Sequence, residues 1–128
     1  MRKRTVGLAL VMVLAFALPS LASPPVLTVT APRNAHSGGP LLVTYSVANP
    51  LSNPIALTVQ YSISGPCIDK SGSETLTVAG AGQAGSTQTN SFSYTFLSGG
   101  CAGTYTVNVS VNYNGVQLAN VSRTVGVQ

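Results

Sequence analysis

Few side chains in this sequence can do chemistry, and their spacing decides what they can do. A nucleophile–base pair needs an imidazole or an equivalent base. The only histidine is His36, in a segment flanked by glycine and proline, where it reads as a solvated loop residue. Asp69 and Glu74 are the only two carboxylates in the chain, too few to build a paired-carboxylate centre. Asp69 and Lys70 lie beside Cys67 and read as the exposed tip of a polar loop. One histidine, two acids and two cysteines do not make a closed zinc site. Calcium would need main-chain oxygens to supplement Asp69 and Glu74. The glycine-rich segment 80–85 has no lysine and no helical pattern after it, so it is not a phosphate loop. The inventory argues against an enzyme and calls for no cofactor and no metal.

Two other residue sets bear on covalent chemistry. Cys67 and Cys101 are the only cysteines. Asn108-Val109-Ser110 and Asn120-Val121-Ser122 are Asn-x-Ser sequons, which makes Asn108 and Asn120 the candidate glycosylation sites. A chain this rich in Ser, Thr and Asn also produces sequons by chance.

The compartment follows from the N-terminus. Arg2, Lys3 and Arg4 precede an apolar run over residues 6–18, broken by Pro19 and followed by Ser20-Leu21-Ala22. A basic start, a short apolar stretch and small residues at a cut after Ala22 make up the layout of a secretory signal. The run is shorter than the roughly 20 residues a membrane-spanning helix needs. The alternative is a segment kept as an anchor, which would be the chain's only membrane contact. No cysteine follows the cut for lipid attachment, and Val6-Gly7 is a poor match to a pilin-type cleavage site. The reading is therefore a signal peptide over 1–22 and one domain over 23–128, secreted or displayed at the cell surface. An exported chain with two cysteines should oxidise them.

Export also changes the charge argument. The formal charge of +4 includes the three basic residues of the leader. The rest carries Arg33, Lys70 and Arg123 against Asp69 and Glu74, a net +1. Three scattered cations cannot track a phosphate backbone, which excludes nucleic acid as a partner. A nearly uncharged, hydroxyl-rich surface also lacks the repulsion that keeps copies apart. The partner classes left open are a second copy of the chain, a surface protein or a glycan.

The elements that must position these residues are strands. Apolar and polar residues alternate with period two through 41–48, 55–63, 91–96 and 104–113, and more briefly at 76–78. Turn signals separate the runs: Gly38-Gly39, Asn49-Pro50, Asn53-Pro54, Gly65-Pro66, the segment 80–86, Gly99-Gly100 and Asn114-Gly115. With 27–29 at the start and 116–127 at the end the count is seven strands. In the last run the parity slips, which predicts a β-bulge near Ala119-Asn120. Seven short strands in about 100 residues predict an all-β, immunoglobulin-like antiparallel sandwich. Cys67 follows the third strand and Cys101 the fifth; these strands run the same way, so both exits lie at one end and the cysteines are placed to bridge. Two free thiols or an intermolecular bridge are the alternatives.

Gly103-Thr104-Tyr105 opens the sixth strand and resembles the Gly-x-Tyr corner of immunoglobulin-like domains, in which the Tyr hydroxyl bonds back to the preceding turn. The stretch 42–49, LVTYSVAN, together with 103–109, GTYTVNV, is similar to CARDB-like and related domains of microbial surface proteins. The resemblance implies Gly103 and Tyr105 as structural corner residues, and adhesive, spacer or assembly roles. The sequence departs from antibody domains: the third strand has no Trp, and the cysteines sit in loops.

Two functions compete on these grounds. One is a structural or adhesive surface protein, able to self-assemble if its first strand, tethered by the nine-residue segment 32–40, enters a neighbour instead of its own domain. The other is a monomeric binding module for a glycan or surface protein, using the loops 49–54 and 114–115 at one end of the sandwich.

Overall fold

A computed structural model of the chain describes residues 24–128; the signal-peptide reading of 1–22 lies outside them. Eight strands follow one another: β1 (Val26–Thr30), β2 (Asn34–Ala35), β3 (Pro40–Ala48), β4 (Ile55–Gly65), β5 (Ile68–Val78), β6 (Thr87–Thr95), β7 (Gly103–Tyr113) and β8 (Val116–Val127). They form a three-stranded sheet, β1-β3-β6, and a five-stranded sheet, β2-β8-β7-β4-β5. The fold is an all-β immunoglobulin-like sandwich with one disulfide, as the alternation predicts.

The period-two pattern becomes the core directly. Leu41, Val43, Tyr45 and Val47 of β3 meet Leu57, Val59 and Ile63 of β4 and Tyr105, Val107, Val109 and Val111 of β7, all buried. Their β-branched and aromatic side chains suit a pleated, packed surface, and burying each large one contributes about 1.5–3 kcal/mol. Phe96 packs edge-on against Tyr105, with ring centroids 4.8 Å apart. Asn114 and Gly115 both have positive φ (50° and 81°), as a two-residue type I′ hairpin between β7 and β8 requires.

Four expectations need correction. There are eight strands because residues 32–40 are not a free linker. Asn34–Ala35 form β2 and pair in parallel with Gly126 and Val127, and Arg33 O accepts from Gly126 N at 2.8 Å. The chain thus crosses from one sheet to the other at this point. β1 pairs with β3 of its own chain, from Val26 opposite Ala48 to Thr30 opposite Thr44.

The polar loop expected at Asp69 and Lys70 is strand instead. Only Pro66 and Cys67 form the turn, so Asp69 and Lys70 belong to β5, opposite Ser64 and Ile63 of β4. A Cβ on Gly65 would overlap the buried ring of Tyr105, which is why glycine stands there. The bulge falls slightly early: Val111 pairs with Ala119 and Asn112 with Gln117, so Leu118 is the extra residue. Finally, β6 begins at Thr87, four residues before the apolar alternation becomes visible.

Candidate functional site

The chemistry-bearing residues do not converge. Asp69 and Glu74 are five residues apart on β5, so the pleat sends them to opposite faces. Glu74 points inward and accepts two hydrogen bonds from Asn90 Nδ2, at 2.7 and 2.9 Å. His36 lies exposed in the β2–β3 connection, where its carbonyl closes a turn with Gly39 N at 2.8 Å. Among the described residues no three His, Cys, Asp or Glu side chains cluster.

Cys67 and Cys101 are bridged, with their Cα atoms 5.5 Å apart, joining the β4–β5 turn to the β6–β7 connection. Two residues past Cys101 the chain enters the corner. Gly103 has φ 143° and a Cβ there would press on Pro66. Tyr105 is 1% exposed, and its hydroxyl donates to Cys101 O at 2.7 Å. Disulfide and tyrosine therefore hold the same short segment from two sides.

The opposite end of the sandwich, with loops 49–54, 79–86 and 114–115, is organised by one amide. Asn49 is 3% exposed; its Nδ2 reaches Asn53 O at 2.8 Å, Ala79 O at 3.1 Å and Val78 O at 3.3 Å, and its Oδ1 accepts from Leu51 N at 2.9 Å. Such a fully engaged amide stabilises the loops and leaves little free to grip a ligand.

A coherent polar surface covers the outer face of the five-stranded sheet. Strand register lines up short hydroxyls and amides in rows: Ser71, Ser62, Asn108 and Ser122; Ser73, Gln60, Ser110 and Asn120; Thr75, Thr58, Asn112 and Gln117. A shallow trough of about 550 Å³ crosses it, floored by Ser110 and walled by Gln60, Ser62, Ser73, Asn108 and Gln117. No charged side chain lines this trough. Asn112 Nδ2 donates to Gln60 Oε1 at 3.2 Å, and Ser122 Oγ bonds Asn108 Oδ1 at 3.3 Å. Both sequons stand on this face, with Asn108 opposite Ser122 and Ser110 opposite Asn120. Asn120 is exposed and Asn108 half-buried.

A second feature lies where β5 and β6 face each other across the open side of the sandwich. Tyr61 and Phe92 stack with centroids 4.4 Å apart, Tyr94 stands beside them, and Lys70 Nζ lies 5.6 Å from the Tyr94 centroid. With Ile63, Ser71 and Ser93 they enclose a cavity of about 240 Å³. Gly72 makes room for it, because a Cβ there would come within 2.6 Å of the Tyr61 ring. Sequence reasoning missed this seam. The inward positions of β5 are Lys70, Gly72 and Glu74, which break the apolar alternation, and only the sheet order brings Tyr61, Phe92 and Tyr94 together.

No protein-family model matches the sequence, and no protein with a curated description is similar to it. Solved structures do resemble the fold. The CARDB domain of the PF1109 protein from Pyrococcus furiosus, solved in complex with di-metal ions, aligns with a TM-score of 0.62 at 18% identity, over 82% of this chain and 90% of that one. A β-glucosidase from Listeria innocua in complex with isofagomine gives 0.59 at 16% identity, but only 16% of its length is covered. The alkylpurine DNA glycosylase AlkC of Pseudomonas fluorescens gives 0.56 at 17% identity, over 31% of its length. Identities this low speak to architecture alone. Residues 24–128 thus have the fold of a CARDB-like, immunoglobulin-like domain.

Proposed function

We propose that the chain is an exported, non-catalytic structural or adhesive domain that makes contact through the outer face of its five-stranded sheet. The observation that carries this reading is the uncharged lattice of Ser, Thr, Asn and Gln side chains around the trough. Hydroxyls and amides both donate and accept hydrogen bonds, so this lattice matches a surface that does the same, such as a neutral polysaccharide. Without aromatic platforms each contact is weak, and binding would come from many contacts presented together. A glycan attached at Asn108 or Asn120 would cover the trough, so the reading requires these positions to be free on the binding form.

The test is retention on a panel of neutral and charged insoluble polysaccharides, comparing the exported chain with Ser110→Lys and Ser62→Lys. Expected is retention on at least one neutral matrix that both substitutions reduce. Retention unchanged by either substitution, or none on any matrix, would sink the reading.

Assembly through the N-terminal strand is the second reading. It is favoured by the position of β1 at a sheet edge, five residues long, with Val26 57% exposed. Because β2 is fixed to β8, the free tether shrinks to residues 31–33, which span roughly 10 Å when extended. Exchange would then demand a close neighbour or release of β2.

A further inference from the structure

Of the two edges of the three-stranded sheet, β6 is the longer, nine residues against the five of β1. β6 is hydrogen-bonded to β3 on one side only. Its nine residues, TQTNSFSYT, include no charge, no proline and no glycine. Edge strands are normally blunted by those residues or by a bulge, and β6 pairs with β3 without one. What lies next to β6 is the inward face of β5, across the seam.

The seam has a symmetry of its own. On β5, Lys70 and Glu74 lie two residues either side of Gly72 and share its face. On β6, Tyr94 and Asn90 lie two residues either side of Phe92 and share its face. Lys70 sits at the height of Tyr94 and Glu74 at the height of Asn90. An antiparallel partner registered on Phe92 would set Asn90 of one copy opposite Tyr94 of the other. It would therefore bring Lys70 of each copy to the height of Glu74 of the other. The surface is complementary in charge to itself under a two-fold axis, as an isologous interface requires, and β6 contributes no charge to oppose it.

We propose that the chain forms a homodimer by antiparallel pairing of its β6 edges about Phe92, with two Lys70–Glu74 pairs across the axis. The pairing satisfies the free main-chain groups of β6 and covers the half-buried rings of Tyr61, Phe92 and Tyr94. A second copy fits better than an arbitrary strand, because only an antiparallel copy supplies a cation and an anion in this order. The interface is separate from the outer face of the five-stranded sheet and does not depend on the function proposed for that face.

Sedimentation equilibrium of the exported chain tests this, with its N-terminus read by mass and folding checked by circular dichroism. Ser91 and Ser93 point away from the core, and pairing about Phe92 sets each opposite the other's counterpart. Ser91→Lys/Ser93→Lys therefore places like charges directly across the new pair and should weaken association about tenfold or more. Lys70→Glu should also weaken it, and Lys70→Glu/Glu74→Lys should restore it, which a simple loss of local packing would not allow. A chain that stays monomeric to about 1 mM overturns the proposal. So does a dimer indifferent to Ser91→Lys/Ser93→Lys, or one that the double charge swap fails to restore. A dimer lost only on altering β1 would mean strand exchange instead.

Discussion

Replacing Tyr105 with Phe removes one oxygen from a demanding place. The ring is 1% exposed and its hydroxyl donates to Cys101 O at 2.7 Å. Phe keeps the ring's apolar burial, so the loss is the hydrogen bond and the solvation of a carbonyl left without its partner. A net bond is worth about 1 kcal/mol and an orphaned buried acceptor costs about 1–3 kcal/mol, which puts Tyr105→Phe near 2 kcal/mol. For a domain of this size that lowers Tm by roughly 8–16 °C. Cys101 is also bridged to Cys67 at a sequence separation of 34, a closure worth about 4 kcal/mol in the chain-entropy treatment. Because bridge and hydroxyl hold the same segment, their effects should not add. In a Cys67→Ala/Cys101→Ala background the segment can relax, and Tyr105→Phe should cost about 1 kcal/mol less than in the oxidised chain. Urea unfolding of the four proteins gives the cycle. A cost below about 0.5 kcal/mol in the oxidised chain would refute the reasoning, and so would equal costs with and without the bridge.

Other positions give sharper contrasts. Gly65→Ala drives a Cβ into the Tyr105 ring, which its hydroxyl bond holds in place, and should cost about 3 kcal/mol. Gly82→Ala meets open space and only the strain of φ 82°, so about 1 kcal/mol is expected from the same denaturation assay. Asn49→Asp replaces the donor that faces three carbonyl oxygens with an acceptor at a 3% exposed site and should cost about 3 kcal/mol at neutral pH. The new carboxyl would be easier to protonate folded than unfolded, so that cost should shrink as pH falls toward 4 and grow as it rises; melting curves across pH check the sign.

The strands most legible in the sequence are those whose two faces differ most. β3, β4 and β7 alternate Val, Leu, Ile or Tyr with Ser, Thr, Asn or Gln, because one side meets the core and the other water. The meeting of Cys67 and Cys101 was also legible, since strand direction alone places both at one end. β5 was legible only at its end, 76–78, because its inward Lys70, Gly72 and Glu74 border an open seam, where burial does not demand apolar residues. The same holds for the start of β6, where inward Gln88 and Asn90 hide the strand. β2 carries no local signal at all: two residues pair with a segment more than ninety positions away in the sequence. The hydroxyl-rich composition announced a neutral surface, but its rows on one face depend on the order β8-β7-β4-β5, which no single segment encodes.

The outer face of the five-stranded sheet is the central claim, and backbone amide NMR of residues 23–128 titrated with a soluble neutral oligosaccharide tests it most directly. The account predicts shifts concentrated at Gln60, Ser62, Ser73, Asn108 and Ser110, along the trough. Shifts gathered at the loops 49–54 and 114–115, or a spectrum unmoved by every neutral oligosaccharide tried, would contradict it.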